Sequence, residues 1–513
     1  MSINNASTPN NTSTTNKADP NRWWGLVFIA LAQLMVVLDA TVVNIALPSA
    51  QADLGMSDGN RQWVITAYTL AFGGLLLLGG RMADLIGRKR ALLIGLVGFA
   101  AASALGGAAT SSGTLFAARA LQGVFAALLA PSALALLTTT FTDPKERGKA
   151  FGVFGAIGAG GSAIGLIGGG LLTEYLNWRW CLYVNIPIAA IAVAGALKFL
   201  HDKAGHRASR LDVPGVLLGC GGIVAIVYGC SEAEQRGWSD GLVLGLLVGG
   251  AVLLAAFVWW QARAEHPLLP LRILKDRNRA GCFLTMSLAA MGMFALFLFL
   301  TYYMQGILGY SPVKTGLAFL PLTIMVIIGS TQIAARLLHH TAPRNLLVPG
   351  ALLMAGGMYV LTHLTVESEY ATHVLPALLL MGLGMGLTFM PVFATATVGV
   401  APKDAGVTSA TVNTSQQVGG SIGTALLNTL ATTSAATYIT SRQTGRPASD
   451  QAKQFTEHGQ VHGYTAAYWW AVGLTLLAAL VAGLMVTAKA PKHQTPTETE
   501  VEAEVEAGAV APH

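Results

Sequence analysis

Charge is scarce in this chain. Asp, Glu, Lys and Arg together make up 11% of its 513 residues, against roughly 25% in an ordinary soluble domain, and a water-facing surface cannot be assembled from so few. Cysteine is scarcer still. Cys181, Cys220, Cys230 and Cys282 each lie in an apolar run, and none stands at metal-ligand or redox spacing, so they read as small packing residues. No Walker A string occurs, which excludes an ATP-driven motor carried by this chain. A basic segment followed by an apolar one, the mark of a cleavable signal peptide, is missing from the Asn-, Ser- and Thr-rich start.

What fills the sequence instead is apolar. Hydrophobic residues account for 53%, and uncharged stretches recur at residues 62–80, 120–142, 150–173, 213–231, 241–262, 315–335 and 345–366. Each is close to the roughly twenty residues a helix needs to cross ~30 Å of hydrocarbon. The pattern predicts an all-α polytopic membrane protein of fourteen spans, centred near residues 35, 72, 100, 130, 162, 190, 222, 251, 290, 326, 355, 386, 420 and 475. With both termini placed in the cytoplasm, 23 of the 31 Lys and Arg fall in cytoplasmic segments, seven fall outside, and Arg119 lies within a span. That is the positive-inside bias of a membrane protein. The net charge of +6 therefore does not point to nucleic acid, since the basic residues sit in short loops between apolar spans rather than on one face.

A duplication is visible within the chain. Pro144, Gly148, Gly161 and Gly165 recur as Pro402, Gly406, Gly419 and Gly423 at an offset of 258, and Leu54-Gly55-Met56-Ser57 answers Leu308-Gly309-Tyr310-Ser311 at an offset of 254. Two related six-helix halves, 23–200 and 280–488, account for this, with two additional helices and cytoplasmic linkers at 201–279. Residues 1–22 and the Glu-rich 489–513 are expected to be cytoplasmic tails. In such an architecture the substrate site lies at the repeat interface near the midplane.

The string Gly80-Arg81-Met82-Ala83-Asp84-Leu85-Ile86-Gly87-Arg88-Lys89-Arg90 resembles the G-x-x-x-D-x-x-G-R-K signature of the major facilitator superfamily. Glycines allow a tight turn there, and Asp84 is placed to face helix N-termini or basic neighbours. Read as bare chemistry, the string is also a positive-inside loop with one compensating acid. Three further strings resemble the fourteen-helix drug:proton antiporters of that superfamily: Leu38-Asp39 through Leu47-Pro48, Arg119 through Gly123, and Asn177-Trp178-Arg179-Trp180 followed by Asn185-Ile186-Pro187. Tyr302-Tyr303-Met304-Gln305 with Leu308 through Pro312 looks like the family's ninth-span ending. The antiporter motif of the fifth span is matched by Gly152, Gly161, Gly165, Gly169 and Gly170, but Leu166 stands where that motif has proline. Glycines four apart also serve ordinary close packing of membrane helices.

By this reading only Asp39 and Arg119 are charges deep within spans, where each costs roughly 2.5 to 3.5 kcal/mol. They are the candidates for proton coupling; the alternative is a purely structural ion pair. The 254 offset maps Asp39 onto Met293, so a proton site would belong to one half. Conformational switching is assigned to Gly80, Asp84, Gly87, Arg88 and the five motif glycines. Polar side chains in spans must face protein or water, which makes Tyr68, Tyr302, Gln305, Asn413 and Gln416 candidates for a substrate cavity. Gly419-Gly420-Ser421-Ile422-Gly423 satisfies a hydrolase pattern, yet it sits within an apolar helix and not at a strand-to-helix turn. His458 and His462 fall in what reads as the longest external loop, residues 434–464, and are expected to be solvated; no catalytic or metal site is expected.

The resemblance implies a proton-coupled exporter of hydrophobic or amphipathic drugs, multi-pass in a bacterial cytoplasmic membrane. It would be driven by the proton-motive force without a cofactor, and would function as a monomer. A uniporter or importer of a metabolite is the alternative within transport, and a polytopic enzyme acting on lipid-linked substrates the alternative outside it.

Overall fold

The computed structural model describes residues 21–56, 63–141, 143–200, 211–265, 267–401, 404–442 and 449–488, and over them every regular element is helical. Fourteen long helices follow one another: α1 (Arg22–Leu54), α2 (Trp63–Ile86), α3 (Arg88–Gly107), α4 (Ser112–Thr140), α5 (Pro144–Tyr175), α6 (Trp180–Phe199), α7 (Val213–Arg236), α8 (Gly241–Gln261), α9 (Arg277–Ile307), α10 (Val313–Leu337), α11 (Arg344–Leu361), α12 (Tyr370–Ala396), α13 (Ala405–Arg442) and α14 (Ser449–Met485). All but α13 are long and apolar enough to cross a membrane by composition alone. That helix is rich in Thr, Ser and Gly, and half-buried packing replaces lipid as its surroundings. Every expected span centre falls inside one of the fourteen. The tails at 1–20 and 489–513 lie outside the described residues.

Side-chain caps start several helices. Ser111 Oγ accepts the Thr114 N–H before α4, Asp240 Oδ1 that of Leu242 before α8, Asp276 Oδ1 that of Arg279 before α9, and Ser311 Oγ that of Lys314 before α10. One residue, Gly87, separates α2 from α3, and its φ of 98° is a value that glycine alone adopts easily. This short turn and the basic clusters around it define what we term the basic face; the opposite end is the far face.

The duplication is visible in the packing. Gly161 and Gly165 of α5 rest on Leu34, Val37 and Thr41 of α1, whereas Gly419 and Gly423 of α13 rest on Ser287 and Met291 of α9. Gly148 meets His339 and the Ala335 carbonyl at the end of α10, whereas Gly406 meets Gly80 and Asp84 at the end of α2. Thus α5 relates to α1 and α10 as α13 relates to α9 and α2. The halves meet along two seams, α2 against α13 and α5 against α10. The inserted α7 lies on both α2 and α13, and α8 packs chiefly on α7. Outward from α8 point Leu244, Val248, Val252 and Trp259, a lipid-facing surface.

One expectation is corrected. Residues 434–464 are not a loop: α13 runs to Arg442 and α14 begins at Ser449. At 38 and 37 residues these helices reach about 55 Å, well beyond the ~30 Å hydrocarbon core. Gly459 and Gly463 of α14 let it close on Ile439, Ala435 and Ala431 of α13, so the polar extension stays helical. His458 and His462 sit on it, exposed, with the His462 ring 4.8 Å from that of Tyr438.

Candidate functional site

Asp39 and Arg119 meet. Arg119 Nη1 donates to Asp39 Oδ2 at 2.6 Å, with the two residues 2% and 0% exposed. A buried pair needs its remaining donors and lone pairs satisfied, and four helices besides α1 supply the partners. Asp39 Oδ1 accepts from Gln122 Nε2 of α4 at 2.9 Å and from Asn185 Nδ2 of α6 at 2.8 Å. Arg119 also donates to Gln122 Oε1 at 2.8 Å and, through Nε, to the Val64 carbonyl of α2 at 3.1 Å. Ser103 of α3 accepts from Gln122 at 2.7 Å. The Tyr68 ring lies beneath the guanidinium, 4.3 Å from Cζ, a cation–π contact in a desolvated place.

The network belongs wholly to the first half. It is not at mid-span either: Arg119 is seven residues from the start of α4, which places it about 10 Å from the far-face end. Above it lies an apolar roof of Val43, Leu47, Val64, Leu115, Leu182 and Trp178, enclosing a void of about 10 Å³ that touches Arg119. Trp178 is held down by its neighbours. Its indole N–H donates to Asp53 Oδ2 at 3.1 Å, Arg179 pairs with the same oxygen at 2.5 Å and donates to the Ala109 carbonyl at 2.9 Å. The hydrogen bond from Arg179, then that from Trp178, holds the Asp53 carboxyl below its ordinary value of 3.8.

At the other end of the molecule Asp84 closes the α2–α13 seam. Its carboxylate accepts the Gly406 N–H at 3.1 Å and the Val407 N–H at 3.3 Å, and Arg88 donates to it at 3.2 Å. Backbone N–H groups at a helix start lack partners within the helix and favour an anion there. A Cβ on Gly80 would come within 2.6 Å of the Gly406 carbonyl, so the close approach depends on glycine. Gly87 supplies the turn and Arg88 the cation, as the spacing of the string implies.

The five motif glycines of α5 divide between two partners. Gly161, Gly165 and Gly169 receive α1, while Gly152 and Gly170 receive Ser330, Ala335 and Val313 of α10. The side chain of Leu166 lies outside the described residues. The expected substrate residues do not share one environment. Tyr68 is 3% exposed and serves the Asp39 network. Asn413 is buried and donates to the Ser409 carbonyl of its own helix. Gln416 is half-buried, and Tyr302 and Gln305 are exposed. Ser103 was not singled out by sequence reasoning, because an uncharged side chain in an apolar run carries no signal of its neighbours, and Trp178 was quoted only within a family-like string, without its place above Arg119. The hydrolase-like glycine string lies inside α13, packed on α9.

Two related helical halves, a carboxylate locking one of the seams between them and a second carboxylate buried in one half define a membrane transporter. The sequence model of the Major Facilitator Superfamily matches residues 29–424. This chain belongs to that superfamily, and is a transporter rather than an enzyme. It is 61% identical over 413 residues to the puromycin resistance protein pur8 of Streptomyces alboniger, covering 80% of this chain and 82% of that one. To the cephamycin export protein CmcT of Amycolatopsis lactamdurans it is 39% identical, covering 83% and 88%. The human organic anion transporter MFSD10 shares the fold, with a TM-score of 0.61 and 14% identity over 90% of this chain and 100% of that one.

Proposed function

We propose that this chain exports small hydrophobic or amphipathic molecules, antibiotics among them, across a bacterial cytoplasmic membrane in exchange for protons. The observation that carries the proposal is Asp39: a carboxylate with no solvent exposure, held by Arg119, Gln122 and Asn185 within one half of the molecule. Relatives named for puromycin resistance and cephamycin export support the substrate class. Protonation of Asp39 would remove the charge that Arg119 is built to meet, and the resulting rearrangement is the coupling step. The distribution of Lys and Arg supports a cytoplasmic basic face, which would put both termini inside and the Asp39 network nearer the proton-rich exterior. The proton-motive force takes the place of a cofactor. A potential of ~100 mV is worth roughly 2.3 kcal/mol per charge, enough for about a fifty-fold gradient of a neutral substrate per proton. Both halves and the whole network sit in one chain, which supports a monomer as the working unit.

Expression in an efflux-deficient host, with a susceptibility panel that includes puromycin and a cephamycin, tests the substrate class. Cells preloaded with the responding drug should retain more of it when an uncoupler collapses the gradient. Leu166 in place of the motif proline weakens the family argument for obligatory export; a uniporter would show no such dependence, and that result would overturn the proposal.

A further inference from the structure

The inserted helices are tied to the α2–α13 seam at both ends. Toward the far face, Ser231 of α7 and Thr66 of α2 are 3.4 Å apart and Tyr228 packs on the Trp63 ring at 5.8 Å. Trp238, in the turn between α7 and α8, donates its indole N–H to Thr429 Oγ1 of α13 at 2.9 Å. One helical hairpin therefore holds an element of each half.

At the basic face the connection runs through Asp212. This residue caps α7 by accepting the Gly215 N–H at 2.9 Å, and it also accepts Trp260 Nε1 at 2.8 Å, Gln261 Nε2 at 2.7 Å and the Leu268 N–H at 3.3 Å. Gln261 in turn accepts the Leu269 N–H at 3.1 Å. Burial opposes the charge on Asp212, but the hydrogen bonds from Gly215, Trp260, Gln261 and Leu268 outweigh it and hold the carboxyl below its ordinary range. The chain leaving α8 is thereby fixed, with Leu268 and Leu269 buried. Three residues further on, Arg272 pairs with Asp404, the residue before α13.

Asp404 is buried and stands two residues upstream of Gly406, whose N–H Asp84 accepts. Two carboxylates thus bear on one helix start, each with its own guanidinium: Arg88 from the first half for Asp84, Arg272 from the inserted segment for Asp404. Without Arg272 the buried Asp404 charge would lack its cation and would repel Asp84 across the closed seam.

We propose that the inserted pair holds the start of α13 in register with Asp84, making Asp212 and Arg272 positioning residues of the transport cycle although neither touches the substrate. The inference rests on the alternating-access reading of the same seam and assigns a part in it to helices that a two-half transporter does not otherwise need.

The test uses the full chain with its four native cysteines replaced by alanine and Ser409→Cys as reporter, since Ser409 is fully buried on α13 beside the seam. The rate of labelling by a water-soluble thiol reagent is measured in inside-out vesicles with neither drug nor gradient present, so loss of export for another reason leaves this reading unaffected. Arg272→Ala should raise the rate by at least about fivefold, the low end of coupling between linked sites. Asp212→Asn should act in the same direction, and Arg272→Lys should keep most of the protection. Exchange of the pair, Arg272→Asp with Asp404→Arg, should return the rate toward that of the parent. Arg272 is exposed at the surface, so its loss does not open the core, and unchanged melting in detergent would verify this. An unchanged labelling rate in Arg272→Ala, or no recovery in the exchanged pair, would overturn the proposal.

Discussion

On the proposed proton-coupled mechanism the cycle would turn on Asp39, and its surroundings separate two substitutions that charge counting alone would equate. Asp39→Asn keeps an oxygen for Gln122 and Asn185 to donate to, but it cannot exchange a proton. The variant should fold and bind drug while drug-induced proton movement in proteoliposomes disappears. Arg119→Ala instead leaves a fully buried carboxylate without its cation, a loss of about 3 to 5 kcal/mol when one partner of a buried pair is removed. It should lower the melting temperature in detergent well below that of the parent; melting unchanged from the parent would show that the pair is not energetically coupled. The Trp178 roof adds a pH test. A depressed carboxyl pKa contributes stability that is fully present above its ordinary value of 3.8 and is lost only as pH falls through the lowered value. The Asp53 latch should therefore hold on external acidification to about pH 4, whereas Asp53→Ala should raise proton leak into liposomes even near neutrality. Asp39 and Arg119 were legible in the sequence because charge is so rare here. That Tyr68 lies against a guanidinium was not legible, because a phenol within a span gives the same signal whether it faces water or a cation.

Among the elements, α5 carries the clearest sequence message and the sharpest test. Gly161→Leu would drive a branched side chain into Leu34 and Val37 of α1, so the protein should insert normally, judged by expression and melting, yet lose efflux. Normal efflux from a well-expressed variant would remove the packing role. The spans were legible because each needs only length and absence of charge, and the offset of 258 correctly paired α5 with α13. The ends of α13 and α14 were not legible. Their extension is polar and lies outside the hydrocarbon, where Thr, Ser and Gln read as loop, and its helicity depends on a glycine contact between two segments rather than on either one's own pattern. The division of the α5 glycines between two partners was likewise invisible, since spacing fixes a face of a helix but not what lies against it.

For the whole molecule, on the proposed alternating-access cycle, Asp84 would set how readily the basic face opens. Asp84→Asn keeps the shape of the acceptor but weakens its hold on the α13 start, so turnover should fall far more than drug affinity does. Lost affinity with unchanged rates of interconversion between the two open states would reverse that assignment. The offset of 254 places Leu338 opposite Asp84 and Met293 opposite Asp39, so neither carboxylate has an acidic counterpart at the matching position of the second half. One element that touches both halves is α5. One flank of this rod bears on α10 of the second half through Gly152 and Gly170; the other bears on α1 through Gly165, against Thr41 and the Leu38 carbonyl, immediately beside Asp39. Because α5 has no side chain of its own at these glycines, a shift of α5 along its axis by one residue, about 1.5 Å, would be felt both at α10 and at the α1 backbone beside Asp39.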